Sequence, residues 1–95
     1  MDIQLGSFIW NSEREEQNIL KHGVSFGEAA EAFRDPFKRI FKDERHSHLE
    51  ERFFCIAKVG KKIITVRFTL RADKIRIFGA GYWRKGGQYY NEKRY

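Results

Sequence analysis

Side chains that can move protons and hold phosphates stand close together near the middle of the chain. His46, Glu50, Glu51 and Arg52 lie within a few residues of each other, at the entrance to a predicted strand. A positioned imidazole or carboxylate can act as general acid or base, each contributing about 10²–10⁴-fold in rate. An arginine can stabilise the negative charge of a phosphate. A solvated strand end with local ion pairs explains the same residues, so both interpretations stay open at this point.

RNA is the substrate that such a set can cut without a metal ion. Its own 2′-hydroxyl is the nucleophile, so the protein supplies only a base, an acid and cations for the crowded phosphate. Arg67 and Arg76 lie on the next predicted strands, and neighbouring strands can bring them onto one surface with Arg52.

Metal binding is a less favoured alternative. His46 and His48 are two residues apart, which can place both imidazoles on one side of an extended segment. No other residues fall at a recognisable ligand spacing, and the single Cys55 does not complete a zinc site. The sequence also lacks a glycine-rich phosphate loop and a nucleophile elbow. We therefore expect no metal and no other cofactor.

Aromatic, basic and glycine residues are interleaved from residue 79 to residue 95. Rings beside cations suit stacking on unpaired bases next to phosphates. The candidate RNA contacts in the basic half of the chain are Arg67, Tyr82, Trp83 and Lys85. Packing of Tyr82 and Trp83 on the core, with a frayed end, is an equally open alternative. Gly86-Gly87 predicts that no continuous helix runs through this stretch.

Positive charge is concentrated in the second half of the chain. Residues 58–95 carry eleven Lys/Arg and two Asp/Glu, whereas residues 1–57 carry eight Lys/Arg and eleven Asp/Glu. Clustered positive charge on a small domain favours a polyanion as partner, with nucleic acid first. A soluble surface that is merely rich in lysine would give the same composition.

The length and composition predict one domain over residues 1–95. The single cysteine excludes an intrachain disulfide. No apolar run approaches the ~18 residues of a membrane-spanning helix, and the first residues lack the pattern of a signal peptide. We expect a cytoplasmic protein with no membrane contact.

Two consecutive helices are predicted between residues 11 and 35. Asn11 or Ser12 caps the first, and Ser12 with Glu15 has the spacing of a capping box. Gly23 closes this helix because it can adopt the left-handed conformation.

Ser25 caps the second helix, with Glu28 at the capping-box position, and Pro36 stops it. One apolar stripe on this helix is formed by Phe26, Ala29, Ala30 and Phe33.

The predicted strands cover residues 3–10, 37–42, 51–59, 62–70 and 74–80. Turns at Gly60-Lys61 and Ala72-Asp73 make the last three an antiparallel meander. Alternation places Ile64, Val66, Phe68 and Leu70 toward the core. The predicted class is α+β, with the helices on one face of a mainly antiparallel sheet.

Several motifs, in this order and spacing, resemble the BrnT toxin family. They are Phe8-Ile9-Trp10-Asn11, Asn18, Lys21-His22-Gly23-Val24-Ser25-Phe26, His46-Ser47, Glu50-Glu51-Arg52-Phe53 and Ile75-Arg76-Ile77. The resemblance extends from about residue 8 to residue 90 and implies a RelE-like fold, in which a helical hairpin packs on the sheet. It implies a ribonuclease toxin of a type II toxin–antitoxin pair that inhibits translation. From this resemblance and the basic second half of the chain, we expect Glu51 or His46 to transfer protons while Arg52 and Arg76 hold the phosphate.

The resemblance also implies a partner. This is a small BrnA-like antitoxin with a ribbon-helix-helix DNA-binding domain, which neutralises the toxin in a complex that represses its own operon. The toxin would dimerise within that complex and meet DNA only through the antitoxin.

The chain departs from the family pattern after the last strand. Many members have Ser-Ala-Arg and further basic residues there, and those arginines are thought to serve activity. Here Gly79 and Gly81 replace the serine and the arginine. We expect Arg84 and Lys85 to supply the charge, with Arg84 in a catalytic or RNA-gripping role. The missing arginine favours a second hypothesis, a non-catalytic toxin-like module that binds RNA or an antitoxin and tunes operon repression.

Overall fold

The computed structural model describes residues 1–92. The strands in this part of the chain are β1 (Asp2–Leu5), β2 (Phe8–Asn11), β3 (Arg39–Lys42), β4 (Arg52–Val59), β5 (Lys62–Arg71) and β6 (Lys74–Gly81). The helices are α1 (Ser12–His22), α2 (Phe26–Glu31) and α3 (Arg84–Tyr90), with short 3₁₀ turns at Ala32–Arg34 and Glu44–His46.

All six strands belong to one sheet in the order β1-β2-β6-β5-β4-β3. The pairing of β2 with β6 is parallel, and the other pairings are antiparallel. The described residues therefore form an α+β structure with a mixed, mostly antiparallel sheet, which confirms the predicted class. None of the helices within residues 1–92 is long and apolar enough to cross a bilayer.

The predicted first strand, 3–10, is instead a hairpin. Gly6 has a φ of 58°, so the chain reverses there and Ile3 pairs with Trp10. Because of this reversal β1 forms the sheet edge, while β2 runs inside it and pairs with β6.

Helix α1 begins and ends as its capping residues predict. The Arg14 N–H donates to Asn11 Oδ1 at 2.9 Å, and Gly23 takes a φ of 71°. The Glu15 carboxylate does not turn back to Ser12 as a capping box would require. It accepts hydrogen bonds from Trp10 Nε1 at 3.1 Å and from the Phe26 N–H at 2.8 Å. Glu15 thus ties β2, α1 and α2 together.

Helix α2 also follows its predicted cap, because the Glu28 N–H donates to Ser25 Oγ at 3.1 Å. The apolar stripe continues beyond α2 into the 3₁₀ turn, where the Phe33 ring packs on Phe68 with centroids 5.0 Å apart. These side chains fill the core between the helices and one side of the sheet, which we call the core face.

The core face is almost completely closed. Its buried members include Trp10, Phe26, Cys55, Val66, Phe68 and Ile77. Burial raises the pKa of the Cys55 thiol to about 12, so this group stays neutral at ordinary pH. Leu70, predicted to be in the core, is 57% exposed. It lies next to the last residue of β5, where alternation places it on the core face. It is outside the core cluster that residues 1–92 form, so its side chain remains exposed.

Residues 84–90 form α3, so the prediction of no continuous helix through Gly86-Gly87 is wrong. Gly86 is buried, and a Cβ at this position would clash with Thr65 Oγ1 on β5. The missing side chain allows α3 to lie directly on the sheet, and this packing outweighs the low helix propensity of glycine. The last residues of the interleaved stretch, 93–95, lie outside the described residues.

Two side chains from other elements hold the end of α3. Arg39 Nη1 donates to the carbonyl oxygens of Tyr89 at 3.1 Å and Glu92 at 3.3 Å. The Tyr90 hydroxyl donates to Asp35 at 2.6 Å. Helix α3 therefore covers one end of the side of the sheet opposite the core face.

Candidate nucleic-acid interface and active site

The side of the sheet opposite the core carries a row of arginines. Arg52 on β4, Arg67 on β5 and Arg76 on β6 each stand beside a residue that faces the core. Successive residues of a strand point to opposite sides, so the strands that bury the core also display these guanidinium groups. We call this side the arginine face.

A cleft of about 380 Å³ opens on the arginine face. Its charged and polar lining includes Arg14, Glu50, Arg52, Thr69, Arg71 and Arg76. We call this cavity the arginine cleft. Since its arginines outnumber its carboxylates, the cleft has the charge to attract a polyanion. The structure therefore brings the predicted residues Arg52 and Arg76 together.

A β-bulge supplies an aromatic support for two of these arginines. The pairing of β5 with β6 shifts so that Phe78 is the extra residue on β6. Its ring centroid lies 4.5 Å from Arg52 Cζ and 5.3 Å from Arg67 Cζ. Cation–π contacts of this kind contribute about 0.5–2 kcal/mol, depending on solvent exposure. Phe78 thus fixes both guanidinium groups against the sheet.

Arg67 lies against the backbone of β6 at Gly79. A Cβ at Gly79 would approach Arg67 Nε to 3.2 Å, so a side chain here would displace the guanidinium. Within residues 1–92, Arg67 Nε is buried without a hydrogen-bond partner, and no carboxylate pairs with Arg67. Its charge is consequently available to an anionic ligand.

Arg67 lines a second depression, which runs along α1 and borders the arginine cleft. The side chains that define this α1 groove are Arg14, Lys21, His22, Arg67, Phe78 and Trp83. Arg14 and Phe78 line both cavities. Sequence reasoning missed Arg14, although its seven-residue spacing from Lys21 puts both cations on one face of α1.

Asn18, buried between these two cations on α1, joins the helix to the sheet. Its Nδ2 donates to the carbonyl oxygens of Val24 and Ala80, both at 2.9 Å, and its Oδ1 accepts from the Ala80 N–H at 3.2 Å. At Ala80 the edge of β6 that faces away from β5 has no strand partner, and the Asn18 amide satisfies the backbone groups there. Asn18 therefore fixes the position of α1 relative to β6 beside the α1 groove.

Glu50, rather than Glu51, is the carboxylate inside the arginine cleft. Its Oε1 lies 3.8 Å from Arg52 Nε, and its Oε2 accepts a hydrogen bond from Arg71 at 3.3 Å. The Glu51 carboxylate is 67% exposed and pairs with Lys42 at 3.3 Å, so the structure does not bring it to Arg52. The two-residue spacing from Arg52 is the signal that could have identified Glu50, because such residues share a face.

His46 stands beside the arginine cleft. It lines a shallow depression with Glu50, Arg52 and Arg71. Its Nδ1 is 2.9 Å from the buried Asp43 carboxylate, which fixes the orientation of the ring.

Ser47 attaches this segment to the start of β4. Its Oγ accepts a hydrogen bond from the Arg52 N–H at 3.0 Å and donates to the Asp43 carbonyl at 2.6 Å. The loop that carries His46 is therefore held against the strand that carries Arg52.

Arg76 reaches across the sheet to the N-terminal hairpin. Its two terminal nitrogens lie 3.1 and 3.4 Å from the oxygens of Asp2. This hydrogen bonding lowers the pKa of the Asp2 carboxyl group. Both partners remain partly exposed, so a phosphate can compete with the aspartate for the guanidinium.

Tyr82 and Trp83 diverge at the end of β6. The Tyr82 hydroxyl donates to Glu28 on α2 at 3.2 Å, away from the arginine cleft. Burial, followed by the charge of Glu28, raises the pKa of Tyr82. Trp83 instead lines the α1 groove beside Arg67, with its ring centroid 5.6 Å from that of His22. Of the two predicted aromatic contacts, only Trp83 lines the α1 groove, whereas the Tyr82 ring lies 5.0 Å from Lys62 Nζ.

The last two predicted residues lie on α3. Arg84 is exposed at the first position of the helix, and the structure does not bring it together with Arg52 or Arg76. Lys85 lines a separate depression between α3 and the sheet. Among residues 1–92, no group of three His, Cys, Asp or Glu side chains converges as a metal site requires.

Comparison with known proteins identifies the family. No curated protein matches the chain. The profile of one protein family, described as the ribonuclease toxin BrnT of type II toxin–antitoxin systems, matches residues 10–86. The matched span includes α1, α2 and every strand that contributes an arginine to the arginine face. Because the match covers most of its length, the chain belongs to the family of BrnT ribonuclease toxins of type II toxin–antitoxin systems.

Proposed function

We propose that this toxin cuts RNA in the arginine cleft, without a metal ion, by promoting attack of the ribose 2′-hydroxyl on the adjacent phosphate. The observation that carries the proposal is the convergence of Arg14, Arg52, Arg71 and Arg76 with Glu50 in one cavity. A phosphodiester in the transition state of this attack carries extra negative charge. Fixed guanidinium groups stabilise that charge because they need no reorganisation during the reaction.

Arg52 and Arg76 hold the scissile phosphate. Arginine presents a planar fork of donors that matches two phosphate oxygens. Arg52 is held from below by Phe78, and its distance of 3.8 Å to Glu50 is longer than a hydrogen bond. Within residues 1–92, the guanidinium N–H groups of Arg52 therefore remain available to bind the substrate.

Glu50 and His46 transfer the protons. Glu50 accepts the proton of the 2′-hydroxyl while that oxygen forms its bond to phosphorus. The bond from phosphorus to the 5′-oxygen breaks, and protonated His46, oriented by Asp43, donates its proton to that oxygen. The products are a 2′,3′-cyclic phosphate and a 5′-hydroxyl. Glu51, predicted for the same role, stays a prediction that its pairing with Lys42 does not favour.

We further propose the biological setting that the family resemblance implies. RNA cleavage inhibits translation in the cytoplasm, and a BrnA-like ribbon-helix-helix antitoxin neutralises the toxin and alone contacts DNA. The toxin is a single RelE-like domain that dimerises within the complex. Arg84, exposed on α3, contacts RNA outside the arginine cleft.

Incubation of the purified toxin with RNA in EDTA tests the proposal. We expect strand scission that leaves cyclic phosphate ends. Scission that EDTA abolishes would contradict it and favour a metal site at His46 and His48. Binding without scission would favour a non-catalytic module that binds RNA or the antitoxin.

That second function has one observation in its favour. Gly81 replaces a family arginine, and a Cβ at Gly81 would lie 3.1 Å from the Trp83 ring, so this strand end presents an indole instead of a guanidinium. Induced expression separates the two functions. Growth arrest by the wild type but not by Arg52→Ala supports the enzyme. Equal growth of cells that express the wild type and cells that express Arg52→Ala supports the module.

A further inference from the structure

A mainly apolar pocket lies between α3 and the sheet. Its lining contrasts with the polar lining of the arginine cleft. Its volume is about 510 Å³, and its ring and aliphatic walls are Phe41, Phe54, Ile56, Trp83 and Tyr89. We call it the aromatic pocket. Phe41 and Tyr89 pack on each other with centroids 5.5 Å apart, so these walls are already assembled.

Basic side chains contribute to the lining of the aromatic pocket. Lys42, Arg45 and Lys85 all line it, and Lys85 Nζ lies 5.8 Å from the centroid of the Tyr89 ring. The carboxylates of Asp43 and Glu44 line the aromatic pocket as well, so three cations stand against two carboxylates. Rings beside an excess of cations match a nucleotide, because the base stacks on the rings while its phosphate meets the cations.

The aromatic pocket and the arginine cleft each share lining residues with the α1 groove. Trp83 lines both the aromatic pocket and the α1 groove, and the α1 groove shares Arg14 and Phe78 with the arginine cleft. One extended strand can therefore follow the arginine face and pass over Trp83 into the aromatic pocket.

Trp83 is fixed in place yet accessible. Its indole lies over Gly81, where an added Cβ would be only 3.1 Å from the ring, and it packs beside His22. The residue is nevertheless 40% exposed. A side chain at Gly81 would push the indole out of this position, so Gly81 acts as a positioning residue for Trp83.

We infer that Trp83 is a stacking platform and that the aromatic pocket holds an unpaired base of the RNA whose phosphate lies in the arginine cleft. This inference rests on the proposed function and adds to it a determinant of substrate choice. It requires single-stranded RNA, since a paired base is not free to enter the pocket. Selection of the cleavage site then depends on the base that fits the aromatic pocket.

The test uses a short single-stranded RNA with 2′-O-methyl groups, which block the nucleophile, in versions that lack one base at successive positions. Its dissociation constant is measured by fluorescence anisotropy for the wild type, Trp83→Ala, Trp83→Phe and Gly81→Ala. Phe37→Ala is the control, because Phe37 is an exposed ring that lines neither the aromatic pocket nor the α1 groove.

We expect Trp83→Ala to weaken binding about tenfold or more, as loss of one stacked base does. Removal of one base should weaken wild-type binding by the same factor and should not weaken Trp83→Ala further. Trp83→Phe should retain part of the affinity, and Gly81→Ala should lose part of it. Phe37→Ala should bind as the wild type does.

The outcomes separate the inference from the proposed function. Arg52→Ala is measured in the same assay. If it weakens binding but no base position depends on Trp83, the inference is overturned and the proposed function stands. If the wild type does not bind RNA at all, both the inference and the proposed function are contradicted. The loss of wild-type affinity on removal of one base is measured without any variant, so a folding defect in a variant does not decide that part of the result.

Discussion

The two sides of the β4–β5–β6 sheet use the same strands for opposite purposes. On the core face, Cys55, Val66 and Ile77 are almost fully buried in one cluster with side chains of α2. On the arginine face, the positions that line the arginine cleft are mostly charged and polar, whereas Phe54 and Ile56 lie at the end of the sheet that α3 covers. The comparison shows that the alternation of side chains along each strand, which places apolar residues in the core, also places the arginines in the cleft.

The same contrast explains why neighbours in sequence have different environments. Glu50 lies in the arginine cleft, whereas Glu51 pairs with Lys42. Trp83 borders the α1 groove, whereas Tyr82 bonds to α2. The direction in which each side chain leaves the backbone beside a strand end, rather than the residue type, decides which member of each pair can meet a ligand.

Breaking the core face should cost the most. Phe26 is fully buried, so Phe26→Ala should lower the free energy of unfolding by about 3–5 kcal/mol, measured by urea denaturation. Phe37→Ala, at a position 62% exposed, is the control and should change little. Equal effects of the two substitutions would mean that the core face is not where the stability lies.

Breaking the arginine face should affect catalysis and leave the fold intact. Glu50→Gln should lower the rate of RNA cleavage by about 10²-fold, because an amide cannot take the proton of the 2′-hydroxyl. Glu51→Gln is isosteric in the same way and should cleave nearly as the wild type does. If Glu51→Gln cleaves RNA more slowly than Glu50→Gln does, Glu51 is the general base and the role proposed for Glu50 is contradicted.

A substitution where the two faces meet should affect stability to an intermediate extent. Asn18→Ala removes three hydrogen bonds to Val24 and Ala80, so we expect a loss of about 1–3 kcal/mol in chemical denaturation. The exposed neighbour Gln17→Ala is the control. An unchanged midpoint for Asn18→Ala would show that these buried groups find other partners.

The smallest effect should come from the exposed pair of Asp2 and Arg76. The pKa of Asp2 is lowered from 3.8, so the pair stabilises the fold above that pH, and its contribution disappears as the pH falls through the lowered pKa. The melting temperature of Asp2→Asn should therefore differ from that of the wild type at pH 6 and converge with it near pH 2. A difference that persists at the lower pH would assign the effect to something other than this carboxylate.

Local signals were sufficient to predict α1 and α2. The caps at Asn11 and Ser25 and the left-handed Gly23 act within a few residues, so they are visible in the sequence. The α+β class follows from the strand pattern in the same way. Gly6 is also a local signal, because a glycine between two short apolar segments can reverse the chain. The prediction of one strand over residues 3–10 takes no account of it, and the structure has a hairpin there.

Contacts between distant residues could not be predicted. Helix α3 depends on the fit of Gly86 against Thr65, and the aromatic support for Arg52 depends on a bulge at Phe78. Neither has a local signature, because the partners belong to different elements that are far apart in the sequence. The family resemblance pointed to Arg52 and Arg76, but their meeting in one cleft required the register of the sheet.

The central claim is that guanidinium groups on the arginine face promote attack by the 2′-hydroxyl. Its most direct test is the single-turnover rate of cleavage of an RNA with one preferred site, made with ribose or with 2′-deoxyribose at that site. Arg34→Ala, in an exposed pair with Glu31, is the control for Arg52→Ala.

We predict that the wild type and Arg34→Ala cut the ribose site alike and leave the deoxyribose site intact, while Arg52→Ala is about 10²–10³-fold slower. Cleavage of the deoxyribose site, or an undiminished rate for Arg52→Ala, would contradict the claim.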